Sequence, residues 1–319
     1  MAKMSITRRE FLRETAVTAG AALVATQVAG LPAQKALKKA SDQVSLGKTG
    51  LKASRLGFGC GTVSGTVQRS LGHEKFNDLV RYAYDHGITY FDTSDTYQTH
   101  PWVREAIKGL PREKLYIQSK MMFMGGFGGR GGFGNMGGFG KQETPLQTLD
   151  RFRKELDMDY IDTVLIHCQM NPNWDEQAKS LIDGLEEAKM KKIIRAHGVS
   201  CHSLPALKKA AAMGWVDVNL VRINPQGVDI DTPQLAVYDD SKESHVPAVV
   251  EQLGIMRKNG HGIIGMKLIA QGKFTNIEDR RKSLTWVMQN NLTDAVVIGM
   301  KSREEIDEAI MHINNAFAG

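Results

Sequence analysis

The chain has 319 residues, with a hydrophobic fraction of 42% and a charged fraction of 24%, values that suit a globular protein of one large or two ordinary domains. The net charge of +6 comes from scattered basic residues and one short cluster, Lys35–Lys39, which argues against a concentrated nucleic-acid-binding face. After the N-terminal segment no apolar run reaches the ~18–20 residues of a membrane span, and the three cysteines lack the CxxC or CxxH spacing of a structural metal site.

The first element does not read as part of a globular fold. Thr7-Arg8-Arg9-Glu10-Phe11-Leu12-Arg13 precedes Thr15–Gly30, a modest apolar run rich in Ala, Val and Gly. A basic start, an apolar stretch and small residues make an export signal, and the adjacent arginines followed by Phe-Leu resemble the twin-arginine type. That resemblance implies the twin-arginine export machinery as a partner and a periplasmic or membrane-tethered location. Leu31-Pro32-Ala33 is a weak cleavage site, so removal of the segment and its retention as an anchor both stay open. The expected organisation is a signal segment at 1–33, a linker at 34–44 and a globular unit at 45–319.

Leu46-Gly47-Lys48-Thr49-Gly50-Leu51 reads as a hairpin with its turn near Thr49-Gly50. Strand and helix then alternate eight times. The first strand ends at Gly57-Phe58-Gly59, and Lys75–His86 follows with apolar residues at helical spacing, stopped by Gly87. The next strand–helix pairs are Ile88–Phe91 with Trp102–Lys108, Lys114–Ser119 with Thr144–Leu156, and Ile161–Ile166 with Glu176–Lys191. Ile193–Val199 with Leu204–Met213, Val216–Val221 with Pro247–Lys258, Gly262–Met266 with Arg280–Asn290, and Ala295–Ile298 with Glu304–Phe317 complete the series. Largely apolar strands alternating with amphipathic helices predict a parallel sheet covered by helices. Eight units predict an α/β (β/α)8 TIM barrel, with the hairpin as an N-terminal plug. No GxGxxG turn follows the first strand, which weighs against a Rossmann fold.

In such a barrel, chemistry belongs at the C-terminal ends of the strands. Asp92 follows strand two with Tyr97 just beyond, Lys120 follows strand three, and His167 follows strand four. Together they make a carbonyl-reducing set. A tyrosine near pKa ~10 is a reluctant acid, and a neighbouring ammonium lowers that value. Asp92 would fix Lys120, and His167 would orient and polarise the carbonyl.

The ordered motifs then point to a family. Leu46–Gly59, Phe91-Asp92-Thr93-Ser94-Asp95-Thr96-Tyr97, Ile117-Gln118-Ser119-Lys120, Asp159–His167 and Ile194–Ser200 together resemble the aldo/keto reductases, from about Leu46 to Ala309. The resemblance implies an NAD(P)-dependent enzyme of the alcohol dehydrogenase or carbonyl reductase type. It implies Tyr97, Asp92, Lys120 and His167 as catalytic, and a small carbonyl or alcohol as substrate. It also implies NADP(H) rather than NAD(H), held by Gly61, Thr62, Asp92, Ser200, Cys201, Leu268, Gly299, Lys301 and Ser302. No metal is implied.

Several positions depart from the family pattern. Gln98, Thr99 and His100 follow Tyr97 where Gly and a later Glu are usual. Cys201 replaces an Asn, Leu220 occupies a Gln position on strand six, and Lys267-Leu268-Ile269-Ala270-Gln271-Gly272 replaces a Ser-Pro-Leu-Gly run. Lys301 and Arg303 would meet a 2′-phosphate, while Ser302 with Glu305 also reads as a helix cap. These departures keep open a second reading, a nicotinamide-binding or sensing protein without turnover on the same barrel. A third holds the cofactor in place and recycles it between two substrates. The glycine-rich insertion at 121–141 is either a low-complexity loop or a lid closing its phenylalanines over an apolar ligand. Cys60, Cys168 and Cys201 read as small buried packing residues.

Overall fold

The computed structural model describes residues 38–122, 143–237 and 244–318, all within the unit Leu37–Gly319. The segment expected to be an export signal, the first part of the expected linker and most of the insertion lie outside the described residues.

Eight parallel strands close into a barrel in the order β10-β3-β4-β5-β6-β7-β8-β9. They are β3 (Leu56–Gly59), β4 (Tyr90–Asp92), β5 (Tyr116–Met122), β6 (Ile161–Gln169), β7 (Ile194–Cys201), β8 (Val218–Arg222), β9 (Gly262–Met266) and β10 (Ala295–Ile298). The helices are α1 (Thr66–Arg69), α2 (His73–Asp85), α3 (His100–Ile107), α4 (Pro145–Leu156), α5 (Trp174–Gln177), α6 (Lys179–Met190), α7 (Leu204–Ala212), α8 (Val246–Asn259), α9 (Ile277–Gln289) and α10 (Arg303–Asn315). This is the expected (β/α)8 TIM barrel.

The apolar strands divide their residues between two cores, because successive side chains leave opposite faces. Phe58, Phe91, Ile117, Val164, Val199, Val221, Ile263 and Val296 join the outer core with the helices. Tyr90, Tyr116, Leu165, Ala196, Val218, Leu220, Ile264 and Ala295 fill the barrel interior. That alternation places the chemistry. Tyr90 and Asp92 point inward from β4, Tyr116, Gln118 and Lys120 from β5, and Leu165 and His167 from β6. The lower layer is apolar and aromatic, with Tyr90 and Tyr116 edge-to-face at 5.0 Å. The upper layer is ionisable.

The hairpin plugs the opposite end. Strands β1 (Gln43–Ser45) and β2 (Lys52–Ser54) pair antiparallel, and the turn between them drives Leu46 and Leu51 into the interior core. A side chain at Gly47 would come within 2.4 Å of the Gly260–Gly262 backbone, and its φ is +51°, so glycine permits both the contact and the conformation.

Most element ends move by one to three residues from expectation, and three of the differences bear on the site or the packing around it. The helix expected over Glu176–Lys191 breaks at Ala178 into α5 and α6, where buried Trp174 anchors the first turn through Nε1 to the Ala206 carbonyl at 3.3 Å. Strand β5 continues two residues past Lys120 to Met122, paired with β6 through His167, so the insertion starts later than 121. Strand β6 reaches Gln169 across an irregularity after Ile166.

Candidate active site

The mouth of the barrel gathers Asp92, Tyr97, Lys120 and His167. The Lys120 ammonium is 1% exposed and donates to Asp92 Oδ1 and Oδ2 at 2.7 Å each and to the Thr93 carbonyl at 2.9 Å. Its three protons are therefore all placed. Gln118 Nε2 donates to Asp92 Oδ1 at 2.8 Å and to the Tyr90 hydroxyl at 2.9 Å. Burial lowers the lysine from its ordinary pKa, and the Asp92 charge opposes that fall.

Tyr97 arrives on a single helical turn, Asp95–Tyr97, after β4. Its ring centroid lies 4.8 Å from Lys120 Nζ, and its hydroxyl lies 3.4 Å from His167 Nε2. Gly61 makes room for that ring, since a Cβ there would sit 2.1 Å from Tyr97 Cε2. Arg69 donates to the Tyr97 carbonyl. On the other side of His167, Nδ1 lies 3.1 Å from Ser94 Oγ and 3.5 Å from Thr96 Oγ1. Burial, then the charges of Lys120 and Lys267, hold the imidazole well below the usual histidine pKa. It is neutral at physiological pH.

The residues expected to hold a dinucleotide separate into groups. Thr62 follows β3 and Gly299 follows β10, and they adjoin: a Cβ at Gly299 would lie 1.8 Å from Thr62 Oγ1. Gln68 fixes Thr62 by accepting from its backbone at 3.0 Å and donating to its hydroxyl at 3.1 Å. Ser302 caps α10, its Oγ accepting from Glu305 N at 3.3 Å. Lys301 N donates to Glu305 Oε2 at 2.8 Å. Arg303 pairs with Asp78 through Nε at 3.0 Å and lies over Tyr82, while the Lys301 ammonium makes a longer ion pair, 3.9 Å from Glu305 Oε1.

Ser200 ends inside β7 with its Oγ buried and without a hydrogen-bond partner among the described residues. An orphaned hydroxyl at the mouth fits a ligand amide. The side chains of Cys201 and Leu268 are buried, 1% exposed each. Both pack in the outer core, because strand alternation turns Cys201 away from the face that carries Ser200. Leu220 points into the barrel interior, and Asn219 instead meets His261 Nδ1 at 3.1 Å. Asn224 donates to the Val228 and Lys267 carbonyls at 2.7 and 3.1 Å.

Three features of the mouth carry no role in the sequence reading. Gln118 was legible in the alternation Tyr116-Gln118-Lys120. The buried pair Arg222 Nε–Asp231 Oδ1, at 2.7 Å, joins groups from a strand end and a loop, with Arg222 Nη2 also donating to the His202 carbonyl at 2.6 Å. Desolvation pushes Lys267 down to about 8, and its charge also acts on His202; the sequence marked it only as the start of a run that departs from the family pattern.

Comparison with known proteins bears on the family and the fold. The sequence model described as the aldo/keto reductase family matches residues 55–283. The chain is 33% identical over 174 residues to "Probable aldo-keto reductase 1" of Glycine max, covering 53% of this chain and 48% of that protein. It is 25% identical over 185 residues to an NADH-specific methylglyoxal reductase of Escherichia coli, covering 55% and 57%. The chain thus spans about half the length of the curated relatives it matches. Among solved structures, an aldo-keto reductase from Klebsiella pneumoniae in complex with NADPH superposes with TM-score 0.60 at 18% identity, covering 87% of this chain and 90% of that one; at that identity the likeness concerns the fold. The chain belongs to the aldo/keto reductase family of oxidoreductases.

Proposed function

We propose that the protein interconverts an aldehyde or ketone and the corresponding alcohol with NADP(H). The observation that carries this is the Lys120 ammonium, pinned on both Asp92 oxygens at 2.7 Å and set 4.8 Å from the Tyr97 ring. When bound, the nicotinamide supplies the hydride in reduction and takes it back in oxidation. Tyr97 gives its hydroxyl proton to the carbonyl oxygen as that oxygen gains charge, and Lys120 stabilises the phenolate left behind. Neutral His167 takes a hydrogen bond from Ser94 at Nδ1 and presents Nε2–H to the same oxygen. Ser200 would hold the carboxamide, and Gly61, Thr62, Gly299, Lys301 and Ser302 would line the dinucleotide. NADP(H) is preferred for the Lys301 ammonium beside the α10 N-terminus and for the NADPH complex of a structural neighbour.

The test is turnover of NADPH over a panel of aldehydes, ketones and sugars, with Tyr97→Phe as control. Tyr97→Phe should lower kcat by roughly 10²–10⁴-fold while the cofactor Kd stays within about twofold. Equal turnover by both proteins refutes the reading. The interior leucine at 220 and the outward thiol at 201 favour a second reading, a barrel that binds nicotinamide without turning it over; binding with no turnover on any substrate would select it. The segment 1–33 is proposed to send the folded barrel through the twin-arginine machinery to the periplasm or to a membrane tether. Replacing Arg8 and Arg9 by Lys should retain the protein in the cytoplasm, as read by cell fractionation.

A further inference from the structure

Asp95 opens the turn that carries Tyr97. It is held from outside the barrel. Arg151 on α4 donates through Nη1 to Asp95 Oδ1 at 2.8 Å and through Nη2 to Oδ2 at 3.0 Å, the two-pronged geometry a guanidinium offers a carboxylate. The same guanidinium donates to Glu143 Oε2 at 3.0 Å through Nε and to Glu155 Oε1 at 3.0 Å through Nη1. Glu155 Oε2 then meets His100 Nδ1 at 2.7 Å, and His100 Nε2 lies 2.7 Å from Ser119 Oγ. Ser119 immediately precedes Lys120. His100, with a side chain 2% exposed, is one of the three residues that replace the family pattern after Tyr97.

We infer that Arg151 is a positioning residue that fixes the separation of Tyr97 from Lys120. It grips the tyrosine's turn through Asp95 and the lysine's strand through Glu155, His100 and Ser119. This rests on the reading of Tyr97 as the proton donor. Arg151 is about one-third exposed (34%), and a lone pair at such exposure would contribute little. Here one cation serves three carboxylates. Without it, Asp95, Glu143 and Glu155 repel one another, and the turn bearing Tyr97 is the segment free to yield. Moving the ring away from Lys120 weakens the ammonium's hold on the phenolate. Asp92 and Tyr90 from β4, Lys120 from β5, His167 from β6 and Arg69 from α1 face Tyr97 as well, and these stay in place.

The experiment uses the full chain with Arg151→Met, Arg151→Lys and Asp95→Asn. The phenol ionisation of Tyr97 is read in the ultraviolet as the difference between each protein and its Tyr97→Phe partner. In Arg151→Met and Asp95→Asn that ionisation should move up by about half a pH unit or more. In parallel, kcat should fall by about tenfold or more, with the cofactor Kd within twofold. Arg151→Lys, which keeps the charge and loses the fork, should recover only part of both. Should Arg151→Met fail to fold, Asp95→Asn carries the same test at unchanged side-chain volume. A Tyr97 titration identical to wild type in the folded variants overturns the inference. A wild-type protein without turnover whose titration still shifts sinks the reductase reading and leaves the clamp standing.

Discussion

The two halves of the barrel mouth are built to different standards of completeness. On the side of β4 to β6, every proton of the Lys120 ammonium has an acceptor and Asp92 takes bonds from both Lys120 and Gln118, with Gln118 Oε1 the one buried atom of that cluster without a partner among the described residues. On the side of β7 to β9, Ser200 Oγ, His202 Nδ1 and Asp231 Oδ2 are buried without partners among the described residues, beside the half-buried Lys267, whose pKa desolvation pushes down to about 8. An ammonium whose three protons are all placed is held in one geometry, which suits groups that must meet a reacting atom. Unsatisfied buried polar atoms cost free energy in the free protein. They suit a surface whose hydrogen bonds are completed by a ligand.

Four changes would break or sharpen this contrast. Lys120→Met should have the largest effect. It leaves Asp92 buried and uncompensated, a loss of about 3–5 kcal/mol, and it lowers kcat by roughly 10²–10⁴-fold. Adding Asp92→Asn should recover much of the melting temperature and none of the turnover; calorimetry and kinetics separate the two. Gly61→Ala comes next. Its methyl would occupy the space of the Tyr97 ring, so kcat should fall by up to ~10²-fold with a stability loss of about 1–3 kcal/mol. Wild-type kinetics in this variant would show that the ring has other room.

Ser200→Ala tests the incomplete half. Removing an orphaned hydroxyl should leave the stability of the free protein unchanged or slightly raised, while the cofactor Kd rises about tenfold. An unchanged Kd by fluorescence titration would remove Ser200 from the cofactor site. The smallest effect is the pH slope from Lys267. Its folded pKa, about 8, lies below the ordinary lysine value of ~10.4, so between those values the unfolded chain binds the extra proton. Stability should therefore rise with pH across that window and lie flat below it as far as this group is concerned. Denaturant titrations at several pH values should show the slope in wild type and its loss in Lys267→Met.

The same division separates what was legible in the chain from what was not. The barrel was readable because period-3.6 helices and short apolar strands are local patterns, repeated eight times. Asp92, Lys120 and His167 were readable because each interrupts an apolar run at a strand's C-terminal end, and β-strand alternation puts them on one face. Boundaries such as the break at Ala178 were not, because buried Trp174 and its bond to Ala206 decide them across distant elements. Nor was the orientation of Cys201, which depends on the strand's register rather than on the residue's proximity in sequence to Ser200. The sequence by itself determined the eight-fold alternation, the plug and the kinds of group at the mouth. Only the tertiary structure decided their partners, because Arg151 meets Asp95, Arg222 meets Asp231 and Gly61 meets Tyr97 through closure of the barrel, and long-range closure leaves no periodic trace in the chain.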